Sequence, residues 1–331
     1  MPNDFRCFYV EKDDTGCVSG RITRRPMEEL PAGDVLIRVS FSSVNYKDAL
    51  AASGNPGVVR RLPHVPGIDA AGVVESSASP RFSPGQAVIV TGYELGSGCW
   101  GGWSEYIRVP ADWVVVPPAG LSLPEAMMLG TAGFTAAQCV QSLQHHGVTP
   151  DSGEVVVTGA TGGVGILAVS ILSQLGYTVV AATGKARAAD QLVACGASRV
   201  IGRDQVDNAS PKPLLNTRWA GGVDTVGGNT LATLLRETKH RGCIAACGMV
   251  GGTDLHLTVY PFILRGVKLD GIDSAQCPCD QRTQIWQQLA GPWKPKNLSQ
   301  ISTTIPLDQV SDAVAKILCG DITGRTLVEI G

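Results

Sequence analysis

The sequence predicts an α/β protein in which a doubly wound parallel sheet follows a β-rich first domain. Up to about Pro124, short alternating apolar runs such as DVLIRVSFSSVN are separated by Gly and Pro, a pattern typical of half-buried strands. From about residue 125 to 273, continuous β-branched runs alternate with segments of helical spacing, which is typical of buried parallel strands and their crossover helices. The glycine-rich turn EVVVTGATGGVG lies where the first of these strands meets a helix.

The elements follow from these patterns in chain order. A helix is predicted over LPEAMMLGTAGFTAAQCVQSLQHHG, and six strands are predicted at EVVVTG, YTVVAAT, SRVIG, GVDTVG, RGCIAACGMV and VKLDGID. DQRTQIWQQLAG predicts another helix, and the tail from ISTTIP to GRTLVEIG predicts strand, helix and strand. Because this tail has no place in the parallel sheet, we expect it to return to the first domain and close a cleft. The predicted domains are 1–124 with 274–331, and 125–273.

Composition excludes several classes of function. Of the 331 residues, 44% are hydrophobic and 17% charged, with a formal net charge of −2, which is typical of a globular protein. The near-neutral charge argues against an electrostatic nucleic-acid binder. Apolar runs stay short of the roughly 18 residues of a membrane span, and the N-terminus has no apolar signal-peptide core. We therefore expect a cytoplasmic protein without membrane or nucleic-acid partners.

The ten cysteines are scattered, which favours reduced thiols over a disulfide framework. A structural zinc site would need paired C-x-x-C units, whereas Cys277-Pro278-Cys279 has no second pair nearby, and the histidines form no H-x-x-x-H. The sequence therefore predicts no metal, and it leaves open a redox role for Cys277 and Cys279.

The turn after EVVVTG has the pattern A-x-G-x-x-G at Ala160, Gly162 and Gly165. A strand precedes it and a helical pattern follows, the context in which such glycines bind a dinucleotide pyrophosphate at a helix N-terminus. The structural alternative is a tight turn without a ligand. An NAD site would place Asp or Glu about 20 residues on, but this strand ends in Thr183 and Gly184, followed by Lys185 and Arg187. A hydroxyl and two cations without an acid favour the 2′-phosphate of NADP(H), the alternative being that both cations are solvated.

The first domain contains SVNYKDAL, PHVPGIDAAGVV and GGWSEY, and with the glycine turn and the returning tail it resembles the medium-chain dehydrogenase/reductase superfamily. This resemblance implies a GroES-like catalytic domain and a Rossmann domain. Where the zinc enzymes of the superfamily have Cys and His-Glu, this chain has Asn45, Ile68 and Asp69. The resemblance therefore points to the zinc-free quinone oxidoreductase and enoyl reductase branch, and alcohol oxidation would lack its Lewis acid.

Longer matches, among them SVNYKDALAASG, WAGGVDTVGG and PFILRGVKLDGIDS, resemble the acrylyl-CoA reductase (YhdH/AcuI-like) family. That family reduces acrylyl-CoA to propionyl-CoA with NADPH and without metal, and a quinone substrate and a binding protein without turnover are the alternatives. The resemblance implies NADPH contacts at Tyr46, Thr161, Gly162, Gly163, Val164, Thr183, Gly184, Lys185, Arg203, Met249, Ile263, Ser274 and Arg325.

Reduction of an unsaturated thioester needs a donor for the developing enolate oxygen and a proton for the α-carbon. We assign these roles to Tyr46, with Asn45 beside it to hold substrate or nicotinamide; the alternatives are a Tyr46 ring that only packs on the nicotinamide, and a proton from water. Asp48 is either an orienting group or a helix-start acid, and Asp69 is interpreted as structural.

Two further expectations concern partners. Arg60 and Arg61 would pair with the phosphates of CoA, or are solvated surface charges. By resemblance, the strand GVKLDGI pairs across a two-fold axis in a homodimer, which would bury Val267 and Leu269 and protect the sheet edge.

Overall fold

The structure is a computed structural model that describes residues 2–331. These residues pack into two compact units. The first contains the chain up to Thr131 with Ala275–Ala290 and Leu298–Gly331, and the second contains Ala132–Ser274 and Gly291–Asn297. The domain limits 1–124 with 274–331, and 125–273, stay a prediction.

The strands and helices follow one another along both units. The strands are β1 (Asp4–Lys12), β2 (Val18–Pro26), β3 (Val35–Val44), β4 (Asp69–Ser77), β5 (Ala87–Thr91), β6 (Tyr106–Val109), β7 (Val114–Val115), β8 (Val155–Val157), β9 (Val179–Thr183), β10 (Arg199–Gly202), β11 (Trp219–Asp224), β12 (Thr238–Ala246), β13 (Lys268–Gly271), β14 (Ser302–Pro306) and β15 (Arg325–Glu329). The α-helices are α1 (Tyr46–Ala52), α2 (Leu123–His145), α3 (Gly163–Gln174), α4 (Ala189–Ala194), α5 (Gly228–Glu237), α6 (Tyr260–Arg265), α7 (Cys279–Ala290) and α8 (Val310–Leu318).

The first unit is built on a seven-stranded sheet in the order β14-β15-β3-β4-β5-β7, with β6 also paired to β3 and a separate β1–β2 hairpin. In β3, Val35, Ile37 and Val39 enter the main core, as the alternating pattern predicts. The opposite face of β3 is also partly buried, because Leu36 lies in a second hydrophobic cluster with Phe5. Burial of each such side chain contributes about 1.5–3 kcal/mol.

The second unit is a parallel six-stranded sheet in the order β10-β9-β8-β11-β12-β13. The three valines of β8 are fully buried, as expected of a strand covered on both faces. From β8 the chain moves outward to β9 and β10, then returns to the other side of β8 as β11. The strand order therefore reverses between β8 and β11, the place where α/β sheets bind ligands at the carboxyl ends of their strands.

Helix α2 differs from the single helix that the sequence predicts. Gly130 inside it has φ 51° and ψ −155°, so two helical segments meet at a kink. A positive φ is easily adopted only by glycine, which explains the residue at this point. Within residues 2–331 no helix is both long enough and apolar enough to cross a membrane.

Candidate cofactor and catalytic sites

The glycine turn, residues 158–165, joins β8 to α3 in the second unit. Gly162 is the N-cap of α3 and has no side chain, so the N–H groups of the first turn remain available. A Cβ at Gly165 would lie 2.7 Å from Ala160 Cα, so the helix packs against the turn at a distance that only glycine permits. Free N–H groups and the positive end of the helix dipole make this turn suitable for a pyrophosphate.

The end of β9 and the residue after β10 form a polar group that we call the β9 cluster: Thr183, Gly184, Lys185 and Arg203. Thr183 Oγ1 lies 3.2 Å from Thr161 Oγ1 of the glycine turn and accepts a hydrogen bond from Lys185 N at 3.0 Å. The Arg203 guanidinium covers Gly184, since a Cβ there would lie 2.5 Å from Arg203 Nη2. The structure thus brings the predicted Arg203 onto the predicted strand end, next to the glycine turn.

Three of the predicted NADPH contacts, Met249, Ile263 and Ser274, are expected by resemblance in loops that flank the nicotinamide, and they differ in their surroundings. Met249 follows β12 and is 68% exposed, and its Cα lies 3.2 Å from where a Cβ at Gly227 would stand. Ile263 is exposed on α6, and Ser274 accepts a hydrogen bond from Thr135 Oγ1 at 2.8 Å. Met249 therefore lies next to the turn that follows β11.

In the first unit, Asn45 and Tyr46 lie at the junction of β3 and α1. Asn45 is the N-cap of α1 and forms a capping box with Asp48, in which Asn45 N donates to Asp48 Oδ2 at 2.8 Å. Tyr46 is the first helical residue, and the residue is 44% exposed. The cap fixes the direction of the backbone at Tyr46 and leaves the phenol accessible.

Asp69, the first residue of β4, is fully buried and accepts hydrogen bonds from several elements. Ser43 Oγ donates to Asp69 Oδ2 at 2.6 Å, Asn45 Nδ2 donates to the same oxygen at 2.8 Å, and Thr131 Oγ1 donates to Oδ1 at 2.6 Å. We call this group, with Asp48 and Arg325, the Asp69 network. It connects β3, α1, β4, α2 and β15, so Asp69 is structural, as the sequence suggests, and it also fixes the side chain of Asn45.

Arg325 brings a buried positive charge to the Asp69 network. Its Nε donates to Met128 O at 2.9 Å and its Nη1 to Asn45 Oδ1 at 3.2 Å. A Cβ at Gly130 would lie 2.5 Å from Asp69 Oδ2 and 3.0 Å from Arg325 Nη2, so the glycine at the kink of α2 makes room for both ions. Burial lowers the pKa of Arg325, and the charges of Asp69 and Asp48 oppose this shift. The contact of Arg325 with a cofactor stays a prediction.

Asp48 is the second buried carboxyl group of the Asp69 network. Its Oδ1 accepts from Ile68 N at 2.7 Å and Gly67 N at 3.1 Å, in addition to its role in the capping box. Burial, and next the charge of Asp69, raise the pKa of Asp48 to about 7. The sequence predicts that Asp48 is an orienting group or a helix-start acid. Its hydrogen bonds to the loop before β4 are not predicted. The one signal was the spacing N-x-x-D of a capping box.

The three positions at which the resemblance expects the zinc ligands of the zinc enzymes hold other groups in this chain. Asn45 and Asp69 belong to the Asp69 network and Ile68 is a buried aliphatic residue. In the part of the chain that the structure describes, no three His, Cys, Asp or Glu side chains form a group able to hold a metal ion. Arg60 and Arg61 are exposed in the loop between α1 and β4.

Comparison with known proteins identifies the family. Residues 31–119 match the alcohol dehydrogenase GroES-like domain, and residues 163–290 match the zinc-binding dehydrogenase family. The putative quinone oxidoreductase YhfP of Bacillus subtilis is 47% identical over 331 residues, 100% of both chains. The acrylyl-CoA reductase AcuI of Ruegeria pomeroyi is 42% identical over 327 residues, 98% of this chain and 99% of that protein. This chain belongs to the acrylyl-CoA reductase (YhdH/AcuI-like) family of the medium-chain dehydrogenase/reductase superfamily.

Solved structures of the family agree with this fold. The YhdH oxidoreductase from Salmonella enterica, in complex with NADP, has a TM-score of 0.96 and 44% identity over 98% of this chain and 100% of that chain. YhfP, with NAD bound, has a TM-score of 0.96 over 99% of this chain and 100% of that chain. The predicted α/β class, with a Rossmann domain and a GroES-like domain, is confirmed, and the protein is an oxidoreductase.

Proposed function

We propose that this protein reduces the C=C bond of an α,β-unsaturated acyl-CoA such as acrylyl-CoA, using NADPH and no metal. The observation that carries the proposal is the Asp69 network, which fixes Asn45 by hydrogen bonds to Asp69 and Arg325 and presents Tyr46 at the start of α1. The name of the relative AcuI supports the substrate class.

The glycine turn and the β9 cluster would hold the cofactor. Thr161, Gly163 and Val164 would provide backbone N–H groups for the pyrophosphate. Gly162 N donates to Gly159 O at 2.9 Å, so Gly162 would contribute the space left by its missing side chain. Thr183, Gly184, Lys185 and Arg203 would surround the 2′-phosphate. The related structures contain NADP in YhdH and NAD in YhfP, so membership of the family does not by itself decide which dinucleotide this protein binds. NADPH is favoured because β9 ends in Thr183 rather than a carboxylate and the Arg203 guanidinium covers Gly184.

The chemistry divides between cofactor and protein. When bound, NADPH supplies a hydride to the β-carbon of the substrate. The π electron pair of the C=C bond then moves towards the thioester oxygen as an enolate, which needs a hydrogen-bond donor. We assign that donor to the Tyr46 hydroxyl, and a proton from Tyr46 or from bound water at the α-carbon completes the saturated thioester. Met249, Ile263, Ser274 and Arg325 remain assigned to the cofactor by resemblance.

Oxidation of NADPH, followed by its absorbance, tests the reaction with acrylyl-CoA, crotonyl-CoA and a simple quinone in parallel, with NADH as the second cofactor. We expect fast turnover with acrylyl-CoA and NADPH. The name of YhfP favours a quinone as the second candidate. Turnover with the quinone alone would refute the acyl-CoA substrate, and turnover with NADH alone would refute the role of the β9 cluster.

The role of Tyr46 is tested by Tyr46→Phe, with Tyr260→Phe as a matched control because Tyr260 is 48% exposed in the second unit. Loss of a positioned acid or donor lowers kcat by roughly 100-fold or more, while the control keeps the wild-type rate. A Tyr46→Phe enzyme with unchanged kcat would leave the ring as a packing surface only.

Arg60 and Arg61 would bind the phosphates of the CoA moiety. This assignment rests on their exposure in one loop and on the charge of CoA. The double variant Arg60→Ala/Arg61→Ala should raise KM for acrylyl-CoA about tenfold at low salt and leave KM for NADPH unchanged. An equal KM in variant and wild type would make both residues surface charges.

We also propose a homodimer in the cytoplasm. In support, β13 lies at the edge of the parallel sheet and its Leu269 is 37% exposed although apolar, whereas Val267 just before it is buried. All ten cysteines are free thiols, which fits a reducing compartment. Light scattering should give twice the 34.6 kDa of one chain, and the mass of a monomer would refute the dimer.

A further inference from the structure

The strand ends at the switch point of the parallel sheet are joined by one carboxylate. Asp224, the last residue of β11, is fully excluded from solvent. Thr158, which follows β8, donates its Oγ1 proton to Asp224 Oδ1 at 2.6 Å. The other carboxylate oxygen, Oδ2, accepts from Gly227 N at 2.7 Å. Asp224 therefore binds the first residue of the glycine turn with one oxygen and the turn after β11 with the other.

The glycine turn is fixed from the same side by Thr225. Thr225 N donates to Thr158 Oγ1 at 3.1 Å, and Thr225 Oγ1 donates to Thr158 O at 3.0 Å. A Cβ at Gly159, whose φ is +55°, would collide with Thr225 Oγ1. The backbone that leads into the pyrophosphate-binding residues is thus packed directly on the end of β11.

The turn after β11 also forms backbone hydrogen bonds with the loop that contains Met249. Gly227 forms a β-bridge with Gly252, and Gly251 N donates to Val226 O at 2.8 Å. At the start of the same loop, Cys247 N donates to Asp224 O at 2.9 Å. Asp224 therefore joins the segments that follow β8, β11 and β12, the first two through its carboxylate and the third through its backbone oxygen. We call these three segments the Asp224 junction.

We infer that Asp224 is a positioning residue that sets the pyrophosphate and nicotinamide side of the cofactor site through Thr158 and Gly227. The inference rests on the proposed use of a dinucleotide by this unit. Asp224 joins the strand ends on the two sides of the switch point, those of β8 and β11, whereas the β9 cluster lies one strand further out, beyond β8. Its removal should therefore weaken binding of a whole dinucleotide and spare binding of the adenosine part.

The test uses Asp224→Asn. The amide oxygen can still accept from Thr158, but its NH₂ group faces Gly227 N, so two donors meet and the turn loses its acceptor. The matched control is Asp270→Asn on β13, another carboxylate of the same sheet, which accepts from Ser142 Oγ at 2.5 Å and lies outside the junction. Calorimetric titration gives the Kd of NADPH and of adenosine 2′-monophosphate, which keeps the 2′-phosphate and lacks both the pyrophosphate and the nicotinamide half.

For Asp224→Asn we expect the Kd of NADPH to rise at least tenfold and that of adenosine 2′-monophosphate to stay within threefold. The control should keep both values. Equal weakening of both ligands would make Asp224 merely structural, and an unchanged Kd of NADPH would refute the inference.

Thr158→Val and Thr158→Ser give an independent measurement if Asp224→Asn does not fold. Valine removes the donor to Asp224 and the acceptor of Thr225 N, while serine keeps both. We expect the selective loss of NADPH affinity with valine and recovery with serine; equal affinity in the two variants overturns the inference. If the wild type binds NADH alone, the proposed cofactor is wrong, and the same ratios measured with NADH and adenosine still decide the role of Asp224.

Discussion

The glycine turn of the second unit and the Asp69 network of the first unit hold polar groups by different means. The glycine turn uses backbone N–H groups from residues that are neighbours in the chain, and the absence of side chains at Gly162 and Gly165 creates the space. The Asp69 network uses buried ions, and one of its hydrogen bonds joins residues 280 positions apart.

This difference predicts different consequences of mutation. A buried ion that loses its partner remains in a medium that solvates it poorly, so the Asp69 network should respond first in stability. Substitution of a glycine whose new side chain would face the ligand should chiefly lower the affinity for the cofactor. The following four experiments test this contrast.

The largest effect is expected for Arg325→Met, which leaves Asp69 and Asp48 buried without the guanidinium. The variant also loses the hydrogen bonds from the guanidinium to Met128 O, Val44 O and Asn45 Oδ1. Hydrogen bonds to a charged group contribute about 1.5–3 kcal/mol each, so urea denaturation should show a fall of about 3–5 kcal/mol in the free energy of unfolding. The matched control is Arg6→Met, because Arg6 forms an exposed pair with Asp308 at 2.7 Å. That change should cost about 0–1 kcal/mol. Equal losses in both variants would contradict a special role of the buried charge.

The pH dependence of Asp48 is the next largest effect. Its folded pKa of about 7 lies above its value in the unfolded chain, near 3.9. The folded state therefore binds the proton more tightly, and this contribution to stability is complete below about pH 4 and lost as the pH rises to 7. At about 1.4 kcal/mol per pKa unit the loss amounts to up to about 4 kcal/mol.

Urea denaturation at a series of pH values measures this contribution as the difference between wild type and Asp48→Asn. The difference should change steadily between pH 4 and 7 and be constant above pH 8. A difference that does not vary with pH would show that Asp48 is ionised throughout.

Two glycines of one turn sharpen the comparison. Gly165→Ala places a Cβ 2.7 Å from Ala160 Cα, and such overpacking costs about 1–3 kcal/mol of stability. Gly162→Ala meets only Gly159 O at 3.3 Å and should cost less than about 1 kcal/mol. Its Cβ would instead obstruct the pyrophosphate, so NADPH affinity should fall at least tenfold. Thermal unfolding and NADPH titration of both variants measure the two effects. Wild-type NADPH affinity in Gly162→Ala would show that the pyrophosphate does not bind at this turn.

The smallest effect is expected at the β9 cluster. Arg203→Ala removes the guanidinium over Gly184 and should raise KM for NADPH about tenfold, equivalent to about 1.4 kcal/mol, without changing KM for NADH. Arg199→Ala is the matched control, because Arg199 lies at the other end of β10 and pairs with Glu154 at 2.8 Å. Equal effects on both cofactors would contradict a 2′-phosphate contact at Arg203.

Local pattern explains why the second unit was largely predictable. The buried strands β8 and β9, the glycine turn and the cations after β9 are contiguous in the sequence, so each could be assigned from its neighbours. The break of α2 at Gly130 was missed because helical spacing continues on both sides of it, and only the ions packed against that glycine require it. The role of Asp224 was missed for a similar reason, because the sequence around a carboxylate at the end of a buried strand does not show which residues it will bind.

By itself the sequence determined the α/β class, the glycine turn, the hydroxyl and cations at the end of β9, and the pair Asn45 and Tyr46. These depend on periodicity and on short-range backbone geometry. Only the tertiary structure decided that Asp69, Asp48 and Arg325 enclose Asn45, and that Asp224 joins three strand ends. The physical reason is that a buried charge is stable only with partners, and the fold, not the neighbouring sequence, supplies them.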